Sequence, residues 1–197
     1  AGCDRLLLGQ SAGIRIRTGR PSDILGEITA DDPQTDPAVP NCPALFPGSF
    51  NPIHHGHLSM IHTAREMLGC DVALELSLRN VDKPPLDGIE IEKRLAAMPG
   101  DLNLWLTMLP TFESKSARFP GTVFLVGSDT IRRIADPVYY GGDMRLRLDA
   151  IRQIADRGCR FLVFGRLGHN GFESLTDLDL PAELLDICVE VPGDRFR

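Results

Sequence analysis

No stretch of this chain stays apolar for the roughly 18 residues needed to cross a bilayer. The opening Leu6-Leu7-Leu8 is too short for the apolar region of a signal peptide. No CxxC pair occurs among the five cysteines, Cys3, Cys42, Cys70, Cys159 and Cys188. An odd, scattered set argues against a disulfide scaffold or a zinc site, and it fits reduced thiols in a cytoplasmic setting. Positive charge is also short: 21 Lys and Arg face 27 Asp and Glu, for a net charge of −6. That balance argues against nucleic acid as a partner, yet leaves room for a local basic pocket. Neither an internal repeat nor a low-complexity tract is present.

What is there is ordinary for a globular chain, with 43% hydrophobic and 24% charged residues over a length of 197. That length holds one domain with a real core plus appendages. Residues 31–43, DDPQTDPAVPNCP, read as an extended proline-rich linker, because proline fixes φ and removes a donor. Residues 1–30 carry Gly and Arg with weak periodicity and are left as an N-terminal arm of unassigned fold. Residues 44–197 then form the domain. The chain starts with Ala and stops at Phe196-Arg197, so both ends read as cuts and the domain as truncated at its C-terminus.

Within that domain, short apolar runs alternate with amphipathic segments. Strands are expected at 44–46, 72–78, 102–108, 122–126, 160–164 and 187–191. Helices are expected at 57–69, 90–98, 130–135 and 144–157. Leu58, Ile61, Ala64 and Leu68 mark the apolar face of the first helix, and Met144, Leu148, Ile151 and Ala155 that of the last. Such alternation predicts an α/β fold, a Rossmann-like parallel sheet flanked by helices. Ligands of these sheets bind at the carboxyl ends of the strands, where the strand order reverses. Two strands end in glycine and serine, Gly48-Ser49 and Gly127-Ser128, and are the candidates for that crevice.

Chemistry concentrates in GSFNPIHHGH, residues 48–57. Gly48 lacks a Cβ and so lets a phosphate approach the backbone. Asn51-Pro52 favours a turn over helix. A helix starting near His55–His57 then aims free N–H groups and its positive dipole end at the same crevice. His54 and His57 flank Gly56, which predicts space for an oxygen-rich ligand between two imidazoles that donate hydrogen bonds. As half a metal site the pair lacks a third ligand at helical spacing. Phosphate binding is the reading that uses strand, Gly-Ser, rigid turn and HxGH together. Arg94 is expected on a solvated helix face, Trp105 in the core, and His62 and His169 in structural places.

GSFNPIHHGH resembles the signature of the HxGH nucleotidylyltransferase superfamily, especially nicotinate and nicotinamide mononucleotide adenylyltransferases, with their cytidylyltransferase-like fold. The similarity runs more loosely over residues 44–170. It implies catalytic roles for His54, His57 and Lys83, the last in a proline-rich loop after the second strand of the domain. It implies nucleotide contacts for Gly48, Ser49, Phe50, Asn51 and Gly56, for Gly127 and Asp129 of a Gly-(small)-Asp segment, and for Arg166, where Leu167 replaces the family's proline. A second family signature, Ser-Ser/Thr-Thr-x-x-Arg at a helix start, is absent from these residues and is expected beyond Arg197. The tryptophan that stacks on the pyridine in bacterial members is missing too, and Tyr139 and Tyr140 stand in its neighbourhood.

The reaction so implied is adenylyl transfer from ATP to a phosphate monoester such as nicotinamide or nicotinate mononucleotide, a step of NAD biosynthesis. Mg²⁺ would be held mainly by the substrate phosphates. The partners are then a nucleoside triphosphate and a small phosphorylated acceptor, with no nucleic acid and no membrane; a homo-oligomer is compatible. Cytidylyl transfer, adenylyl transfer to another phosphate ester by another HxGH transferase, a non-catalytic nucleotide-binding module and a triphosphate hydrolase remain as competing readings.

Overall fold

A computed structural model describes residues 6–8, 10–29, 43–79, 81, 84–168 and 171–195. The linker at 31–42, Lys83 and His169 lie outside the described residues. The sheet is built on β3 (Ala44–Pro47), β4 (Val72–Ser77), β5 (Asn103–Thr107), β6 (Val123–Gly127), β7 (Arg160–Phe164) and β10 (Cys188–Glu190), all parallel. These match the expected strands within two residues at each end. A hairpin of β1 (Ser11–Arg17) and β2 (Arg20–Thr29) completes eight strands in the order β10-β7-β6-β3-β4-β5-β1-β2. The α/β, Rossmann-like architecture read from the sequence is therefore present.

The hairpin is the fold's addition to the sequence reading. Residues 11–29, left without a fold, extend the main sheet: β1 runs antiparallel to β5, with Ile14 opposite Leu106 and Ile16 opposite Leu104. Ile14 and Ile16 are buried. The intervening Arg15 lies over Trp105, its guanidinium carbon 5.9 Å from the ring centroid. Thr18 ties the turn down, accepting from Leu102 N at 2.9 Å and donating to the Pro99 carbonyl at 2.5 Å.

Helices cover both faces because alternate strand residues point to opposite sides. On one face, Phe46, Leu74, Leu76 and Leu106 pack against Ile61 and Ala64 of α1 (His55–Leu68) and Ile91 of α2 (Gly88–Ala96). The other face carries Leu45, Trp105, Phe124 and Phe161. These meet Ile131 and Ile134 of α4 (Ser128–Ala135) and Ile151 and Ile154 of α5 (Met144–Asp156). Two residues expected on apolar faces sit at the rim instead, Leu58 at 37% exposure and Met144 at 58%. Trp105 is core, as expected.

Shorter elements escaped the periodicity reading. They are α3 (Phe112–Arg118), the hairpin of β8 (Arg166–Gly168) and β9 (Gly171–Glu173), and α6 (Ala182–Leu185). Helix α3 is set by a capping box in which Thr111 and Ser114 satisfy each other's N–H groups, at 3.1 and 3.2 Å. The described cysteines, Cys70, Cys159 and Cys188, are free thiols, and burial pushes Cys188 up to about 12. No described helix is long and apolar enough to cross a membrane.

Candidate active site

Strand order reverses at β3, whose sequence neighbour β4 lies on one side and β6 on the other. The carboxyl ends of β3 and β6 therefore flank the crevice that this topology reserves for ligands, and they are Gly48 and Gly127. A cavity of about 330 Å³ opens beside Gly48, with Gly48, Ser49 and Asn51 on one wall and Arg79, Arg94 and Lys115 around it. Of the residues singled out from sequence, these three of the signature line it. Phe50, Gly56, His54, His57, Gly127, Asp129 and Arg166 stand outside its wall.

The glycine of the signature has a different immediate reason from the one expected. A Cβ on Gly48 would meet the Phe50 ring at 2.6 Å. Phe50 is buried beneath the loop, with φ +40, and packs edge-on against Phe46 at 5.5 Å and His57 at 5.3 Å. Phe50 is thus the wedge that shapes the turn, and close packing on it requires the glycine.

The histidines also differ from expectation. Their rings stack on one another, with centroids 3.7 Å apart and planes 28° from parallel, so no ligand fits between them. The absent Cβ of Gly56 gives that room to the His54 ring, which would lie 3.2 Å from it. His54 is the N-cap of α1, and its N–H donates to Nδ1 of His57 at 3.1 Å. Burial, reinforced by the neighbouring His54, lowers His57 to about 4. A neutral ring whose Nδ1 accepts must carry its proton on Nε2. His57 therefore offers a neutral Nε2–H donor at the helix start, not the cation that would bind phosphate most strongly. The first-turn N–H groups of α1 supply the remaining positive potential.

Arg94 corrects the expectation of a solvated side chain. Its side chain is only 10% exposed. Its Nη1 donates to the Ser49 carbonyl at 2.8 Å, while Nε and Nη2 both reach Glu90 Oε1 at 3.2 Å. Glu90 also accepts from Asn51 Nδ2 at 3.4 Å. One turn of α2 thus braces the signature loop from the side, through contacts that span 45 residues of sequence.

Asp129 and Arg166 meet each other in an ion pair at the surface, with side chains 59% and 68% exposed. Gly127 is the N-cap of α4 and brings Ser128 inside the fold, buried to 1%. His62 is exposed and pairs with Glu66 at 3.3 Å.

Two more features complete the region, one at the tyrosines noted from the resemblance and one without any sequence signal. A second cavity of about 280 Å³ adjoins the first, sharing Pro110, Phe112, Thr130 and Arg133 with it, and is lined also by Tyr139 and Tyr140. Tyr140 is fixed by donating its hydroxyl to the Ile134 carbonyl at 3.1 Å. Beneath the first cavity lies a buried pair, Glu75 and Lys115, 3.0 Å apart.

Residues 45–100 match the model of the cytidylyltransferase-like family. A probable nicotinate-nucleotide adenylyltransferase of Gloeobacter violaceus is 30% identical over 97 residues, 47% of this chain and 43% of that protein. Another of that name, from Chlorobaculum parvum, is 29% identical over 168 residues, 78% of this chain and 83% of the relative. A phosphopantetheine adenylyltransferase of Alkaliphilus oremlandii is 42% identical over 52 residues, 26% of this chain and 32% of that protein. The chain thus spans less than half the length of two of these three relatives. In fold and signature the chain is similar to cytidylyltransferase-like proteins of the HxGH nucleotidylyltransferase class. Its relatives are named as adenylyltransferases, which supports a nucleotidyltransferase.

Proposed function

We propose that the chain transfers an adenylyl group from ATP to the phosphate of a pyridine mononucleotide, nicotinate mononucleotide foremost, and releases pyrophosphate. The observation that carries this reading is the pair of adjoining cavities at the point of strand reversal. One is polar and lined by Gly48, Ser49 and Arg94; the other is lined by Tyr139 and Tyr140. A triphosphate fits the first, and a flat ring fits the second, where tyrosine provides an aromatic face. The names of two relatives point the same way.

In this reading an oxygen of the acceptor phosphate attacks the α-phosphorus, and the bond from that phosphorus to the oxygen bridging to the β-phosphate breaks. The acceptor phosphate is already anionic, so no protein base is needed. The protein's work is positioning and charge neutralisation. Neutral His57 donates through Nε2 to an oxygen that gains charge, while the α1 terminus offers backbone N–H groups. Arg94 holds Ser49, and so the loop, in place. Lys83 is assigned to the triphosphate from its motif; its neighbour Pro84 lines the cavity. We place a magnesium ion with the substrate phosphates, where it needs no dedicated cage of protein ligands. Bound there, it would offset phosphate charge.

A second reading keeps the adenylyl donor and exchanges the acceptor for another phosphate ester, following the phosphopantetheine adenylyltransferase match over 52 residues. Pyrophosphate release from ATP and magnesium, with nicotinate mononucleotide, 4′-phosphopantetheine or neither added, decides between them. Release that requires nicotinate mononucleotide is expected. Release without any acceptor would identify a hydrolase, and binding without release a nucleotide-binding module.

A further inference from the structure

The floor of the first cavity holds a charged group for which neither stability nor the reaction above accounts. Glu75 stands near the carboxyl end of β4 with its side chain 1% exposed, and its own carbonyl accepts from Gly48 N at 2.9 Å. Its Oε1 is well served, accepting from Lys115 Nζ at 3.0 Å and from the Thr107 hydroxyl. Lys115, 5% exposed and rooted in α3, also donates to the Leu109 carbonyl. Oε2 of Glu75 is buried and meets no donor among the described residues.

A buried carboxylate oxygen without a donor is expensive, about 1–3 kcal/mol or more for a charged group. Stability does not call for such an arrangement, since an apolar pair of similar volume is often neutral or better. The chemistry of what completes Oε2 follows by elimination. Phosphate oxygens are acceptors and carry the same sign of charge. A cation is already supplied by Lys115 at 3.0 Å, and no group of three metal-type ligands exists among the described residues. What remains is a neutral donor, and the one that every phosphorylated riboside carries is a hydroxyl. The cavity also presents Arg79 and Arg94, which suit phosphate, so its occupant carries phosphate and hydroxyl together.

We propose that Glu75 determines specificity by accepting a hydrogen bond from a ribose hydroxyl of the bound substrate, with Lys115 as the positioning residue that holds its carboxylate. This rests on the reading of the cavity as a site for phosphorylated ribosides. The hydroxyl comes from the nucleotide or from the acceptor, and the experiment separates the two.

Binding of ATP and of nicotinate mononucleotide is measured by calorimetry beside the 2′-deoxy, 3′-deoxy, 2′-fluoro and 3′-fluoro forms of each. Sites built to bond a hydroxyl reject analogues that lack it by large factors. For the wild type, removal of one hydroxyl on one of the two substrates should weaken binding at least about 30-fold. Its fluoro form should bind equally badly, because fluorine accepts but cannot donate. In the Glu75→Leu/Lys115→Met double variant the penalty should fall below about threefold, with Tm nearly unchanged. Equal binding of every deoxy form, or rescue by fluorine, overturns the proposal in the wild type alone, whether or not the double variant folds. A penalty that persists in a folded double variant overturns it too. Failure of ATP itself to bind would instead overturn the reading of the site on which the proposal rests.

Discussion

The two halves of the crevice are made of different materials. The half around residues 48–57 is built from backbone: a glycine packed on Phe50, an N-cap histidine, a neutral His57 and the opening turn of α1. The other half is built from side chains of distant elements, with Tyr139 and Tyr140, Arg133, and Lys115 reaching the region from α3, α4 and beyond. Backbone geometry suits any triphosphate, since all share the same oxygens. Side chains suit one acceptor and not another. The class of the protein is therefore written in the first half and its substrate in the second.

Removal of His57 should have the largest effect. His57→Ala is expected to lower kcat/KM by about 10²–10³ while acceptor affinity holds, because the lost donor belongs to the shared half. Its pH behaviour follows from the lowering to about 4. The folded state binds fewer protons there than the unfolded chain, whose histidine titrates near 6.5. This residue's contribution to stability is therefore fully present above about pH 6.5 and is lost as pH falls toward about 4. The wild-type unfolding midpoint should fall over that window, and less so in His57→Ala. A rate profile limited by His57 between pH 6 and 8 would contradict the neutral ring.

Gly48→Ala should cost about 1–3 kcal/mol by driving a Cβ into the Phe50 ring, with activity falling about tenfold or more. Gly48→Ala/Phe50→Leu should recover stability but not the full rate, measured by thermal unfolding and turnover side by side. Full recovery of both would mean that packing on Phe50 is the glycine's whole role.

Arg94→Met should reduce kcat/KM by about tenfold through a loosened Ser49 loop, in line with loss of a charge-assisted bond worth about 1.5–3 kcal/mol. Arg94→Lys should recover part of it, since a point charge cannot hold Ser49 and Glu90 together. On the other side of the comparison, Tyr140→Phe should raise KM for the acceptor a few-fold and leave KM for ATP alone. Its lost bond to Ile134 is worth about 1 kcal/mol. Asp129→Asn should be the mildest on the fold. Exposed pairs contribute about 0–1 kcal/mol, so a shift in Tm beyond a few degrees would argue against a surface pair.

Legibility followed the same division. Strand β3, its Gly-Ser end and the helix after Asn51-Pro52 are contiguous in sequence, so period, turn chemistry and motif all spoke at once. The hairpin did have a signal, the alternation Gly-Ile-Arg-Ile-Arg ahead of Thr18-Gly19, but weak periodicity around it hid a strand that joins the main sheet through β5. Arg94 looked like a solvated helical arginine because the loop it braces lies 45 residues away. Glu75 and Lys115 lie 40 residues apart and meet only once β4 and α3 are in place, so no local pattern reveals them. The stacked histidines were misjudged for a simpler reason: HxGH spacing places both rings at one helix start, and whether they part or stack is a matter of side-chain torsion.

The central claim is that a triphosphate held in the first cavity reaches past its wall to the helix start at His54 and His57, with His57 neutral and protonated on Nε2. Imidazole ¹⁵N spectra recorded at pH 7, with and without a non-hydrolysable ATP analogue and magnesium, test it most directly. The account predicts a neutral His57 with the proton on Nε2 in the free protein, and a marked shift of that nitrogen as the analogue saturates. A charged His57 in the free protein, or an Nε2 signal unmoved at saturation, would contradict it.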